Sequence, residues 1–201
     1  LSGIVYVTKG VTLTVQEGAK VMGKSGTDVA ALVICRGAKL VAKGTAEKPV
    51  IFTSAAANPA SGDWGGIVLL GTASVNQSYT WKGTAYKGLT SVEGGINDAS
   101  VGYGLAGSGD TEYPTVNNAD NSGILQYVRI EYAGYAYQPD NELNSLTMAA
   151  VGSGTTIDHI QVTYAKDDAY EWFGGTVNCK YLIAYKTQDD DFDTDFGYSG
   201  K

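Results

Sequence analysis

The sequence is short of the residues that most often carry chemistry. It has one histidine and two cysteines in 201 residues. A single histidine excludes zinc sites built on several histidines. No Gly-x-Ser-x-Gly elbow accompanies His159, so a Ser-His-Asp triad lacks its usual setting and the residue reads as an exposed strand position. Charged residues are only 17% of the chain, with 14 Lys and Arg against 21 Asp and Glu. The resulting charge of −7 excludes a nucleic-acid binder, which needs a basic patch. There is no apolar run long enough to cross a bilayer, no signal peptide and no lipid-anchor box. The chain opens inside a strand-like run, Leu1-Ser2-Gly3-Ile4-Val5, and stops after Gly200-Lys201, so it reads as a mature piece of something longer. Sustained helical periodicity is missing as well.

What is abundant points to β-structure. Twenty-seven Gly and 14 Tyr, with many Val, Ile and Thr, favour an all-β chain rich in turns. The length suffices to bury a core without cross-links. Internal repeats set the architecture. Val5-Tyr6-Val7-Thr8-Lys9-Gly10 aligns with Leu32-Val33-Ile34-Cys35-Arg36-Gly37, a shift of 27, and Gly37 maps to Gly71, a shift of 34. Val128-Arg129-Ile130-Glu131-Tyr132 matches Ile160-Gln161-Val162-Thr163-Tyr164 at 32, and that matches Tyr181-Leu182-Ile183-Ala184-Tyr185 at 21. Coils of this size cannot bury their own inner faces and must stack. Propeller blades need about 40 or more residues each, and a sandwich would need the Asn-Gly or Asp-Gly hairpin turns that are missing here. The expectation is a parallel β-helix forming one domain over 1–201. A Gly-, Ser- and Tyr-rich insertion over 72–122 should project from one side as a loop. Cys35 and Cys179 would then lie several coils apart, at ~4.8 Å per coil, and remain free packing thiols.

The densest chemical signal is the tract Asp189-Asp190-Asp191-Phe192-Asp193-Thr194-Asp195, preceded by a related segment, Asp168-Ala169-Tyr170-Glu171-Trp172-Phe173. Its period of two is that of a strand. Aligning Tyr170 with Phe192 stacks Glu171 on Asp193. At ~4.8 Å two carboxylates repel by about 1 kcal/mol in water, and by several times that at an effective dielectric of ~20. Asp191 and Asp195 flank the pair, and Asp167, Asp168, Asp189 and Asp190 fall at the adjoining turn. Three readings stay open. The acids are solvated turn formers, or they form a catalytic carboxylate set, or they hold a hard cation. For the last, the ligands would be Asp167, Asp168, Glu171, Asp189, Asp191, Asp193 and Asp195, and the ion Ca2+, which accepts six to eight oxygens in flexible geometry. Lys166 and Lys186 could also fold over the acids. The tract is not an EF-hand loop, because Phe196 stands where the glycine belongs.

On the later strands, Val128, Ile130, Ile160, Val162 and Ile183 are expected to face inward. Arg129, Gln161 and Leu182 would then form one outer row, Glu131, Thr163 and Ala184 a second, and Tyr127, His159 and Lys180 a third. An enzyme alternative, a calcium-dependent polysaccharide lyase or hydrolase, would use Arg129 as the base with Glu171 and Asp193. Tyr79, Trp81, Tyr86 and Tyr103, with Tyr135 and Tyr137 beyond the insertion, are amphipathic rings suited to pinning the loop or to meeting a ligand. Trp64 and Trp172 read as packing groups.

Three phrases carry a resemblance: Gly62-Asp63-Trp64-Gly65-Gly66-Ile67-Val68-Leu69, the run from Asn121 to Gly134, and the stretch from Gly154 to Gly200. Together they resemble a family of secreted or outer-surface β-helix proteins of Bacteroidetes-type Gram-negative bacteria. The resemblance implies a right-handed parallel β-helix on an exported protein, as a lipoprotein or a type IX secretion cargo, and supplies no agreed catalytic residues. The expected role is non-enzymatic binding or adhesion to a glycan or protein partner, with the lyase and a purely structural spacer as alternatives.

Overall fold

The structure is a computed structural model that describes residues 1–26, 29–96, 100–138 and 141–201. Among them there are nineteen strands and no helix. The first coil comprises β1 (Ile4–Val7), β2 (Thr12–Val15) and β3 (Lys20–Gly23), and the second β4 (Ala31–Ile34), β5 (Lys39–Lys43) and β6 (Val50–Ser54). The third begins with β7 (Gly66–Leu70), is interrupted by β8 (Ser78–Trp81), β9 (Thr84–Lys87), β10 (Leu89–Ser91) and β11 (Leu105–Gly107), and resumes with β12 (Gly123–Glu131). A short hairpin, β13 (Ala136–Gln138) and β14 (Asn141–Glu142), precedes β15 (Leu146–Ala149) and β16 (Thr156–Thr163). The last strands are β17 (Tyr170–Phe173), β18 (Cys179–Tyr185) and β19 (Phe192–Asp195).

Stacking is parallel throughout the coils. One wall is a six-stranded sheet in the order β1-β4-β7-β15-β17-β19. The other walls share a second sheet, in which the first half of β12 pairs with β5 and its second half with β6. The chain turns this corner at one residue per coil, and Tyr127, His159 and Tyr181 all sit there at positive φ (49°, 54° and 56°). Their rings stack along the corner with 4.4 Å between neighbouring centroids. Left-handed backbone is uncommon for bulky residues, and the aromatic ladder occupies it at all three positions.

Alternation sorts each strand between inside and outside. On the six-stranded wall Leu32, Ile67, Leu146 and Tyr170 share one inward row, and Ile34, Leu69, Met148 and Trp172 the next. Facing them are Leu40, Ala42, Phe52, Leu125, Ile130, Ile160 and Val162. Trp64 is fully buried and donates its Nε1–H to the carbonyl of Glu131 at 2.8 Å. The Tyr170 hydroxyl lies between the carbonyls of Ile160 and Ile183, at 2.9 and 3.0 Å. Both cysteines are free, Cys35 buried and Cys179 half-buried.

Three features differ from the sequence reading. The insertion does not project as a loop; it carries two antiparallel pairs, β8–β9 and β10–β11. The first closes through Lys82 and Gly83, both at positive φ (50° and 78°), as a type I′ turn requires. Its apolar side chains lie over the outer face of the six-stranded wall, where Val92, Ile96 and Ala106 join Val33, Val68, Leu70 and Phe173 in a second core. Registers also differ by one in two places. β4 pairs with β7 at a shift of 35, not 34. β16 pairs with β18 at 22, not 21, so Leu182 and Ala184 turn inward and Ile183, expected inside, is 55% exposed. The outer rows are therefore Arg129, Gln161, Ile183 and Glu131, Thr163, Tyr185.

Candidate functional site

The outer face of the six-stranded wall changes character along the stack. Its central outward row runs Val33, Val68, Thr147, Glu171, Asp193. The insertion covers the apolar part, and at the acidic part it contributes Glu93 to the rim of a pocket. Tyr170 pairs with Phe192 and Glu171 with Asp193, the register expected from the sequence. Phe192 stacks on Tyr170 with 5.4 Å between centroids, and this inward aromatic contact holds the two acids in line on the opposite face.

The turns before β17 and β19 add the rest. The same shift of 22 sets Asp189 beside Asp167 and Asp190 beside Asp168, and the amide of Asp190 donates to Asp168 Oδ1 at 3.0 Å. In the coil before, the shift of 24 between Leu146 and Tyr170 makes Asn144 the counterpart of Asp168. Asn144 is buried and donates its Nδ2 to Glu171 Oε2, while its Oδ1 has no hydrogen-bond partner. The result is a polar pocket of about 380 Å³. Asp167, Asp168, Glu171, Asp189, Asp193 and Asp195 all line it; Asp191 does not. Three further polar residues, Glu93, Glu142 and Asn144, line it beyond those the sequence pointed to. Glu93 and Glu142 come from the segments inserted before and after β12, which no repeat could have placed.

No lysine or arginine is among the lining residues. Lys166 packs across Gly62, and Lys186 lies over the rings of Tyr164 and Tyr185 at 5.1 and 5.4 Å, so neither folds over the acids. Uncompensated burial shows in the proton affinities. Glu171 is pushed up to about 9, first by burial and then by the charges of Asp168, Glu93 and Asp193. Asp167 rises to about 7 and Asp168 to about 6, again by burial and neighbouring carboxylates. Two groups of carboxylates have ligand atoms within 4.8 Å of one another: Asp167, Asp168 and Asp189, and Asp168, Glu171 and Asp193. Oxygens on opposite sides of one calcium ion lie about 4.6–5.2 Å apart, twice the bond length. The donor set is all oxygen, as calcium prefers.

Arg129 is elsewhere. It lies on β12, in the other sheet, with its Nε 3.8 Å from Glu131 Oε1. Arg129, Glu171 and Asp193 are thus not brought to one place. Arg129 instead borders a groove of about 530 Å³ along the aromatic corner, with Tyr127, His159, Gln161 and Tyr181. His159, whose Nδ1 contacts Asp158, is held between two tyrosine rings.

The six candidate aromatics fall in three places. Tyr79 and Tyr86 are cross-strand partners on β8–β9, with Trp81 at its turn. All three are half-buried. Tyr103 packs against Tyr6 in a tilted arrangement, with 5.1 Å between ring centroids, and helps pin the insertion. Tyr135 and Tyr137 line a smaller, apolar pocket of about 290 Å³ with Tyr6 and Leu143.

No helix among the described residues is long and apolar enough to cross a membrane. No curated protein and no solved structure matches the chain. A family model described as the pectate-lyase like β-helix domain matches residues 1–201. Stacked parallel strands from one end to the other, and a match that spans every residue of them, place the chain in one family: it belongs to the pectate-lyase-like β-helix domains.

Proposed function

We propose that this chain is a non-enzymatic binding module that captures a glycan through calcium held in the acidic pocket. The observation that carries the reading is the pocket itself. It gathers carboxylates from two consecutive coils and two inserted segments, and an amide from the coil before, without a cationic side chain among its lining residues. Burying like charges this close is costly unless a cation joins them. Calcium retains open coordination positions that sugar hydroxyls or carboxylates can fill. Tyr137, 56% exposed, and Tyr135 offer a neighbouring aromatic surface. A protein partner is the other occupant this surface suits. Right-handed winding, the rule for parallel crossover connections, and residence on a secreted or outer-membrane protein, as a lipoprotein or type IX cargo, belong to the same proposal and derive from the family resemblance.

The polysaccharide lyase is the second reading, favoured by the family match. It requires a base beside the acids, and Arg129 on the other sheet does not serve. Incubation with a panel of acidic and neutral polysaccharides distinguishes the two. The binding reading expects saturable, chelator-sensitive binding with no unsaturated or newly reducing product. Product formation that Glu171→Gln abolishes would establish the lyase instead.

A further inference from the structure

Five of the nine carboxylates that line the pocket form two groups with one member in common. Asp167, Asp168 and Asp189 form the first, at the turns that lead into β17 and β19. Asp168, Glu171 and Asp193 form the second, on the strands themselves. Each group meets the 4.8 Å spacing internally, and the five residues together do not form a single group at that spacing. One ion can be ringed by either group. Each group is of a size to ring an ion of its own.

Asn144 provides a separate observation. It is 4% exposed and lines the same pocket, and its Oδ1 lacks a partner. Buried polar atoms are nearly always paired, so an orphaned carbonyl oxygen calls for an explanation. Its amide nitrogen is already engaged by Glu171 Oε2. The orphan is the carbonyl oxygen, which is a calcium ligand type. Charge points the same way. Nine carboxylates line the pocket, so a second divalent ion neutralises two more charges than one ion alone.

We infer that the pocket holds two divalent cations bridged by the Asp168 carboxylate, with Asn144 Oδ1 completing the coordination of the deeper one. A carboxylate offers about four lone-pair positions, so Asp168 can accept the amide of Asp190 and still meet both ions. Asp167 and Asp189 hold the outer ion, Glu171 and Asp193 the inner. The inference rests on the cation-binding reading above and adds stoichiometry and the separate roles of the two groups.

Calcium titration of the purified chain, followed by native mass spectrometry and calorimetry, tests this directly. Two bound ions are expected. Asp189→Asn should leave one ion, and Asp193→Asn should also leave one. Asn144→Ala in the Asp189→Asn background should weaken the remaining ion by roughly 10–100-fold, the range seen when a supporting group of a metal site is removed. Circular dichroism of each variant establishes that it is folded. A single ion on the unmodified chain overturns the two-ion inference while leaving calcium binding intact, and no ion at all overturns both. Two ions of which Asp168→Asn removes only one would overturn the bridge.

Discussion

Arg36 and Asp110 form a buried ion pair, Nη2 to Oδ2 at 2.7 Å, that ties the six-stranded wall to the insertion over it. Arg36 Nη1 also donates to the carbonyl of Gly107 at 3.1 Å, and the Tyr113 hydroxyl donates to the carbonyl of Arg36 at 2.8 Å. Burial alone would raise the Asp110 carboxyl, but the hydrogen bond and charge of Arg36, together with the backbone amides of Tyr113 and Glu112, outweigh this and hold it below the usual carboxylate range. Asp110→Ala leaves a buried guanidinium uncompensated and should cost about 3–5 kcal/mol. Denaturant unfolding measures it. An equal-volume apolar replacement of both partners should recover much of that loss, because it removes the stranded charge.

Two glycines separate backbone strain from crowding. Gly83, in the turn between β8 and β9, has φ at 78° with open space around it. Its change to alanine should cost only the left-handed conformation, about 1–2 kcal/mol. Gly66 has φ at 97°, and a Cβ there would lie 2.3 Å from the carbonyl oxygen of Asn144. Gly66→Ala should destabilise more than Gly83→Ala and, by displacing Asn144, weaken calcium binding as well. Equal losses in the two variants would contradict the packing described here.

The acidic pocket sets a pH dependence for the cation-free protein. Folding raises the proton affinities of Asp168, Asp167 and Glu171 from ordinary values of 3.8, 3.8 and 4.5 to about 6, 7 and 9. Between these limits the folded state binds more protons than the unfolded chain, so stability falls as pH rises. The loss should begin near pH 4 and continue to about pH 9. Melting temperatures across that range, in chelator, should decline steadily, and calcium should flatten the decline.

Glu171→Gln divides stability from binding. It keeps the shape and removes one buried charge, so in chelator at alkaline pH the variant should melt higher than the parent chain. With calcium present, the order should reverse. A variant that is less stable under both conditions would show that the carboxylate serves packing alone.

The parts of this site that could be read from sequence are those held by an unambiguous repeat. Tyr170 and Phe192 are inward aromatics of adjacent coils, and aligning them placed Glu171 on Asp193 correctly. β18 was harder. Tyr181, Leu182, Ile183, Ala184 and Tyr185 are apolar on both faces, and a strand without contrast between its faces does not declare its phase. The left-handed residue at Tyr181 shifts the alternation by one position, which turned Ile183 outward and Leu182 inward. Glu93 and Glu142 were out of reach for another reason. They reach the pocket from inserted segments whose path over the wall depends on packing among Val92, Ile96 and Leu143, and no periodicity encodes that path. Asp191 shares the spacing of Asp193 and Asp195 but precedes β19, beyond the residues that line the pocket.

The central claim is that these carboxylates are brought together to be neutralised by calcium. Thermal unfolding of the intact chain in calcium and in chelator is the most direct measurement of it. Ligand at 100 times its dissociation constant contributes ~2.7 kcal/mol per independent site, so calcium should raise the melting temperature by several degrees. The increase should shrink in Asp193→Asn and vanish in Asp168→Asn. Identical melting in calcium and chelator, with no calcium retained on dialysis, would contradict the account.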